Sequence, residues 1–324
     1  MTLQNVVRCS GGLLVAQRGA TVAHPSSQAL QVAEVREVRC PDTAPIEAQR
    51  SDEVVWRRHW AEAERLTIEF VDVAVVEVDD VGHTVTFDRE LPVDLEQHLL
   101  FDHVLPLVLA RRGELVLHGA VISQGGRGAV LVGDSGAGKS TLTAFAWQHG
   151  WTVGNDDGAV LFATKPPGVE PTYATLRLTP TSLEMLGLTH EPVSNVVGKV
   201  RLAGEGLRAF RQERVELGLI VVIDPVAAGE QARFEPLGGI SAHAALFGST
   251  FHADMSRDRR LPAIVEAIAS IIEATTVGRL SVPRGLEGLA AAESLLRELL
   301  QTGSRLYRAA FVATGQSKAD IRES

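Results

Sequence analysis

Nine consecutive residues at positions 133–141, Gly-Asp-Ser-Gly-Ala-Gly-Lys-Ser-Thr, carry the densest chemical signal in the chain. Gly133, Gly138, Lys139 and Ser140 match the spacing G-x-x-x-x-G-K-[ST] of a phosphate-binding loop. Such a loop works when a strand feeds it and a helix leaves it, because backbone N–H groups and a helix N-terminus then surround one point. The flanks suit that arrangement: residues 129–132 are a short apolar run, and residues 142–148 read as a helix. Gly133, Ser135, Gly136, Ala137, Gly138, Lys139, Ser140 and Thr141 are therefore the candidate nucleotide-binding residues. Lys139 would reach the β- and γ-phosphates, and the Ser140 hydroxyl would sit on Mg²⁺. The competing reading is a glycine-rich strand-to-helix turn that binds nothing.

Two adjacent acids, Asp156 and Asp157, follow at the expected end of a strand. One carboxylate can hold Mg²⁺, and the other can accept a proton from an attacking hydroxyl. Neighbouring strand residues point to opposite faces, so both serve one site only if a bulge or turn re-aims one of them. The alternative is an Asx turn between strands. Upstream, His118 lies in a strand expected over residues 115–123, and Gly125-Gly126 marks a hairpin that returns the chain to the loop. This hairpin would carry His118 towards the loop; otherwise it is a packed core histidine. Asp224, after the apolar run 217–223, competes for the magnesium role as a strand-terminal acid. Lys199, Arg201 and Arg284 are candidate extra cations, and Arg257, Arg259 and Arg260 form a small basic cluster.

The elements that must position these groups follow from pattern. Residues 1–92 read as a β-rich module, with a long β-branched run over 66–78 and a shorter one over 84–87. Residues 93–111 are a helix whose stripe includes Leu95, Leu99, Val104, Leu107 and Val108, with Pro106 expected to kink it. Residues 181–187 form a short helix with Thr181 as cap and Glu184 at the capping-box offset. Residues 261–275 and 286–300 are amphipathic helices, and the polar stretch 302–324 is expected to be a flexible tail. The expected fold class is α/β with a mixed sheet: a nucleotide domain over 93–301 behind the N-terminal module.

Composition limits the partners. The chain has 324 residues, 45% hydrophobic and 22% charged, enough for one large domain or two ordinary ones. A net charge of −9 argues against nucleic acid and anionic membrane. Cys9 and Cys40 cannot build a disulfide framework, no Cys/His cluster has metal spacing, and no apolar run approaches the roughly 18 residues of a membrane span. A cytoplasmic protein is expected.

Taken together, His118-Gly119, the hairpin, residues 133–141, Gly150 and Asp156-Asp157 resemble the catalytic core of bacterial HPr kinase/phosphorylase and its related serine kinases. Residues 198–202 and 279–289 are similar to segments of the HPr-kinase-like subgroup. The resemblance covers about residues 95–300. It implies a fold similar to phosphoenolpyruvate carboxykinase, ATP and Mg²⁺ as cofactors, and His118, Lys139, Asp156 and Asp157 as catalytic residues. Ser140, Asp156 and Asp157 would be the metal ligands. The first ninety residues do not match the partner-sensing domain of that family, which points away from HPr as substrate. Shorter members resemble accessory enzymes of peptide-modification systems, which implies phosphorylation of a serine on a peptide or small protein by a chain that can form homo-oligomers. Two rivals stand beside this reading: an ATP-binding regulatory or adaptor protein with little phosphotransfer, and a small-molecule kinase.

Overall fold

The computed structural model describes residues 6–8, 14–16, 29–33, 38–41, 43, 45, 47–51, 54–62, 65–79, 84–173, 175–189, 194–196, 199–202, 214–251 and 261–302. Residues 303–324 of the expected tail, Gly198, and Arg257, Arg259 and Arg260 lie outside them, while Thr302 ends the helix Leu286–Thr302. The fold is mixed α/β, with three sheets among the described residues.

At the centre stands the strand Val215–Val226, twelve residues dominated by Leu, Ile and Val. It pairs in parallel with the loop strand Arg127–Val132 on one side and with the strand Thr276–Pro283 on the other. Strictly alternating residues of the loop strand and its neighbours serve two different cores. Ala129, Leu131, Leu219 and Val221 pack against the helices Lys139–Gln148 and Leu286–Thr302. Val130, Val132 and Ile220 pack against the helices Gly239–Gly248 and Leu261–Ala274. Strands buried on both faces need apolar residues at every position, which explains the continuous apolar runs here. The predicted hairpin is present: Gly119–Gln124 pairs antiparallel with Arg127–Val132. Gly125 and Gly126 turn the chain at φ 60° and 80°, the pair of positive values that a tight hairpin with native twist requires.

Asp224 was expected to end the central strand. Instead it lies inside it, paired with Ser281, and the strand runs on through Pro225 to Val226. The run 66–78 also differs from expectation. It is two antiparallel strands, Arg65–Phe70 and Ala74–Asp79, reversed at Asp72 with φ 61°. A short polar side chain tolerates that left-handed backbone where a β-branched one does not.

The N-terminal sheet contains eight strands among the described residues. Leu66, Ile68, Val76, Val78, Val85 and Phe87 line its buried face. That face packs on residues 93–111, which contribute Leu99, Leu100, Phe101, Val104, Leu105, Leu107 and Val108 to the same cluster. Val116, Val160 and Tyr173 join this cluster from the other side. At Pro106 the helix changes character rather than ending. The segment runs as an α-helix over Val93–His98, widens to a π-helix over Leu99–Val104 and returns to α over Leu105–Arg111. Pro106 has no N–H to offer the carbonyl four residues back, and its ring would strike that carbonyl in a regular helix. The wider turn just before it relieves the conflict and carries the buried Asp102.

Candidate active site

The loop leaves the strand at Gly133 with φ 142°. A Cβ there would stand 3.0 Å from the carbonyl oxygen of Ile223 on the central strand, so only glycine fits. Gly136 at φ 82° and Gly138 at φ 95° complete the curl. Gly138 is also the N-cap of the helix Lys139–Gln148, and no side chain caps that helix. Its first amides thus point into the curl without a side-chain acceptor, as an anion cradle requires. Lys139 is buried, with Nζ donating to the carbonyl oxygens of Gly133 at 2.7 Å and Asp134 at 3.1 Å. Burial lowers its pKa, with Lys199 acting in the same sense and Asp157 and Asp156 opposing. Ser135, Gly136 and Ala137 span the curl, and Thr141 Oγ1 meets Ser182 Oγ at 2.9 Å, tying the helix start to the next short helix. That short helix, Pro180–Met185, is capped by Thr179, whose hydroxyl accepts from the Ser182 N–H; Thr181 lies inside it. The prediction went two residues too far because Pro180 suits the first helical position and leaves the cap to the residue before it.

Both acids reach one site because the chain bends between the strands Thr152–Asn155 and Ala159–Phe162. Asn155 is fully buried and holds that bend closed, donating Nδ2 to the Gly158 carbonyl at 2.5 Å and to Thr172 Oγ1 at 3.1 Å. A register shift between Val121 and Ile122 opposite Asn155 adds to the turn. Gly158 has no room for a side chain: a Cβ would lie 2.5 Å from Thr172 Oγ1, itself buried in the same knot. Gly158→Ala is therefore expected to cost about 1–3 kcal/mol of stability, read as a lower urea midpoint at unchanged slope. An unchanged midpoint would show that the bend is not held by this packing.

The two carboxylates differ in surroundings. Asp156 is buried, and its Oδ2 accepts from Ser140 Oγ at 2.7 Å. Its Oδ1 is buried without a hydrogen-bond partner. Burial pushes its pKa up to about 6, the Asp157 charge adds to the rise, and Arg177, Ser140 and Lys199 oppose it. Asp157 is partly exposed, with Oδ1 3.2 Å from His118 Nδ1 and Oδ2 2.5 Å from Arg177 Nη2. His118 does not lie in a continuous strand. The expected strand 115–123 breaks at this residue into Leu115–Leu117 and Gly119–Gln124. The break frees the His118 N–H to reach the Ser249 carbonyl at 2.6 Å and lets the ring stand edge-on to Phe251. Burial and Lys139 lower the His118 pKa against the pull of Asp157, although 40% of the side chain remains in solvent.

Lys139, Ser140, Asp156, Asp157 and His118 are thus joined by contacts or near-field charge. Lys199 belongs to the same electrostatic environment, since it acts on both Lys139 and Asp156. Arg284 is placed elsewhere among the described contacts. It lines a separate cleft of about 670 Å³ with Gly229, Pro283, Gly285 and Leu286, at the ends of the neighbouring strands. Arg177 went unnoticed in the sequence, and so did its partner Asp102. The arginine lies between Leu176 and Leu178 on a short strand, and it is nearly buried. Burial alone would lower its pKa, but Asp157, Asp102 and Asp156 together raise it beyond the ordinary guanidinium value. The available signal was an arginine inside an apolar strand, which needs a carboxylate partner when buried.

The donor set fits a magnesium ion. Mg²⁺ needs only one or two protein oxygens beside substrate phosphates, and a buried carboxylate with one unpartnered oxygen next to the loop hydroxyl offers them.

No family model and no curated protein matches the chain. Among solved structures it has a distant likeness to the Hpr(Ser) kinase/phosphatase from Coxiella burnetii, at 15% identity and a TM-score of 0.32. That likeness covers 61% of this chain and 95% of the other. Among the described residues no helix is long and apolar enough to cross a membrane.

Proposed function

We propose that this chain is an ATP- and Mg²⁺-dependent phosphotransferase of the HPr-kinase-like type, acting on a hydroxyl of a peptide or small protein. The observation that carries the reading is the 2.7 Å hydrogen bond between Ser140 of the loop and Asp156 of the acid pair. It supports a single site in which phosphate binding and acid–base chemistry meet. In this reading the amides of residues 135–140 and the Lys139 ammonium hold the triphosphate, and Lys139 exchanges its two loop carbonyls for phosphate oxygens. Ser140 and Asp156 would hold the metal. When bound, Mg²⁺ neutralises charge on the β- and γ-phosphates. Asp157 orients the acceptor hydroxyl and takes its proton as the new O–P bond forms. The electrons of the breaking bond leave with ADP. His118, lowered in pKa and half in solvent, receives that proton and passes it to water. Positioning and charge neutralisation of this kind carry most of a phosphoryl transfer, because its transition state is loose and anionic.

The test is ADP release with Mg²⁺ and ATP in the presence of serine-containing peptides, with mass spectrometry locating a phosphate on the acceptor. ATP binding without ADP release or phosphopeptide would favour the adaptor reading.

Asp156 also sets a pH dependence. The folded-state pKa of Asp156 lies near 6 against an ordinary 3.8. Between those values the folded protein keeps a proton that the unfolded chain has lost, so stability falls as pH rises. The two-unit gap corresponds to about 3 kcal/mol in total. Metal-free protein is expected to lose that stability between about pH 4 and 6, and Asp156→Asn is expected to flatten the slope. Denaturation midpoints across that range check it; equal slopes in both proteins would remove Asp156 as the cause.

A further inference from the structure

Behind Asp157 lies a buried polar chain that the phosphotransfer scheme does not use. Arg177 forks between two carboxylates, with Nη2 on Asp157 at 2.5 Å and Nη1 on Asp102 Oδ2 at 3.0 Å. Asp102 is 2% exposed and sits in the π-helical turn. Its Oδ2 also meets His98 Nδ1 at 2.5 Å, and its Oδ1 accepts from the Tyr173 hydroxyl. His98 Nδ1 also lies 3.1 Å from Arg177 Nη1, so the ring touches both members of the Arg177–Asp102 pair. His98 stands edge-on to His103 at 5.0 Å, and His103 faces Phe70 of the N-terminal sheet at 5.8 Å. Tyr173 packs on Phe101 at 4.9 Å. Every member is locked by packing or by a second hydrogen bond.

We infer that Asp102, through Arg177, is a positioning residue for Asp157. The guanidinium is planar, and its two nitrogens occupy fixed directions. Once Asp102 fixes one nitrogen, the other can meet a carboxylate at only one place. Asp157 is held by this fork on one oxygen and by His118 on the other, so its orientation is decided by a residue that never touches substrate. A lone arginine on Asp157 would fix the charge but not the angle. The widened turn at Leu99–Val104 brings Asp102 inward to that fork, which gives the π-helix a use beyond accommodating Pro106.

This inference rests on the kinase reading, and its test keeps the two apart. Parent, Asp102→Asn, Asp157→Asn and the double variant are compared by ADP release with Mg²⁺ and ATP, with and without a serine peptide. Asp102→Asn keeps the shape of the side chain. It is expected to lower kcat about a hundredfold, the cost of a misplacement near 1 Å, with KM for ATP unchanged. In the Asp157→Asn background the same change should add less than about twofold, because both act on one group. Arg177→Lys keeps the charge without the fork and should fail to restore turnover. Tyr173→Phe removes one hydrogen bond to Asp102, serves if Asp102→Asn folds poorly, and should lower kcat in the same pattern. Full multiplication of the two losses, or parental turnover in Arg177→Lys, would overturn the inference. If the parent releases no ADP with any acceptor, the kinase reading fails. Crystal structures of parent and Asp102→Asn then decide alone: Asp157 rotated off His118 supports the positioning role, and Asp157 unmoved ends it.

Discussion

Asp157→Asn is expected to lower turnover by about 10²–10⁴, the range that a positioned proton acceptor contributes, while ATP still stabilises the protein. The amide has nearly the volume of the carboxylate and can still accept from Arg177, so the surrounding knot should hold. It cannot take the proton of an acceptor hydroxyl. Binding should survive because Asp157 contacts His118 and Arg177 rather than the loop. The paired control is Asp156→Asn, next to Ser140. That change should raise the Mg²⁺ concentration needed for half-maximal rate, whereas Asp157→Asn should not. Rates measured across a magnesium series separate the two. Parental turnover in Asp157→Asn would remove it from the chemistry and leave the role of proton acceptor to Asp156.

Lys139→Ala should abolish nucleotide-dependent thermal stabilisation. At a hundred times Kd a ligand stabilises by about 2.7 kcal/mol, which for a domain of this size is a rise of about 5–10 °C in Tm. The variant should show almost none of it. The measurement must be the difference with and without nucleotide. Lys139 also satisfies the carbonyls of Gly133 and Asp134, so its removal lowers Tm on its own account. A full ATP-induced shift in Lys139→Ala would move the nucleotide site elsewhere in the molecule.

What the sequence made legible was local. The loop, the Gly125-Gly126 hairpin and the adjacent acids are each set by residues a few positions apart, and spacing alone exposes them. The acid pair carried a stated condition, a turn that re-aims one carboxylate, and the knot of Asn155, Gly158 and Thr172 meets it. Thr172 is seventeen residues from Asn155, too far for pattern reading to join. The same limit hid Arg177 and Asp102, whose contact joins the short strand Leu176–Leu178 to the helical segment. Asp102 did carry a faint mark: an acid four residues after a histidine, inside an otherwise apolar stripe. Asp224 was misjudged because a following proline suggested that the strand ended. The proline is tolerated where β-pairing there runs only to the strand Thr276–Pro283.

The helical segment 93–111 presses one side against the N-terminal sheet and holds Asp102 on the other. The described strands of the N-terminal sheet therefore behave less like an appendage than like a back wall to the candidate site. Cutting the chain at residue 92 would not liberate a working core. It would bare the greasy flank of residues 99–108 to water and slacken one brace on the arginine fork. Loss of that wall and loss of a correctly aimed carboxylate would arrive as a single event.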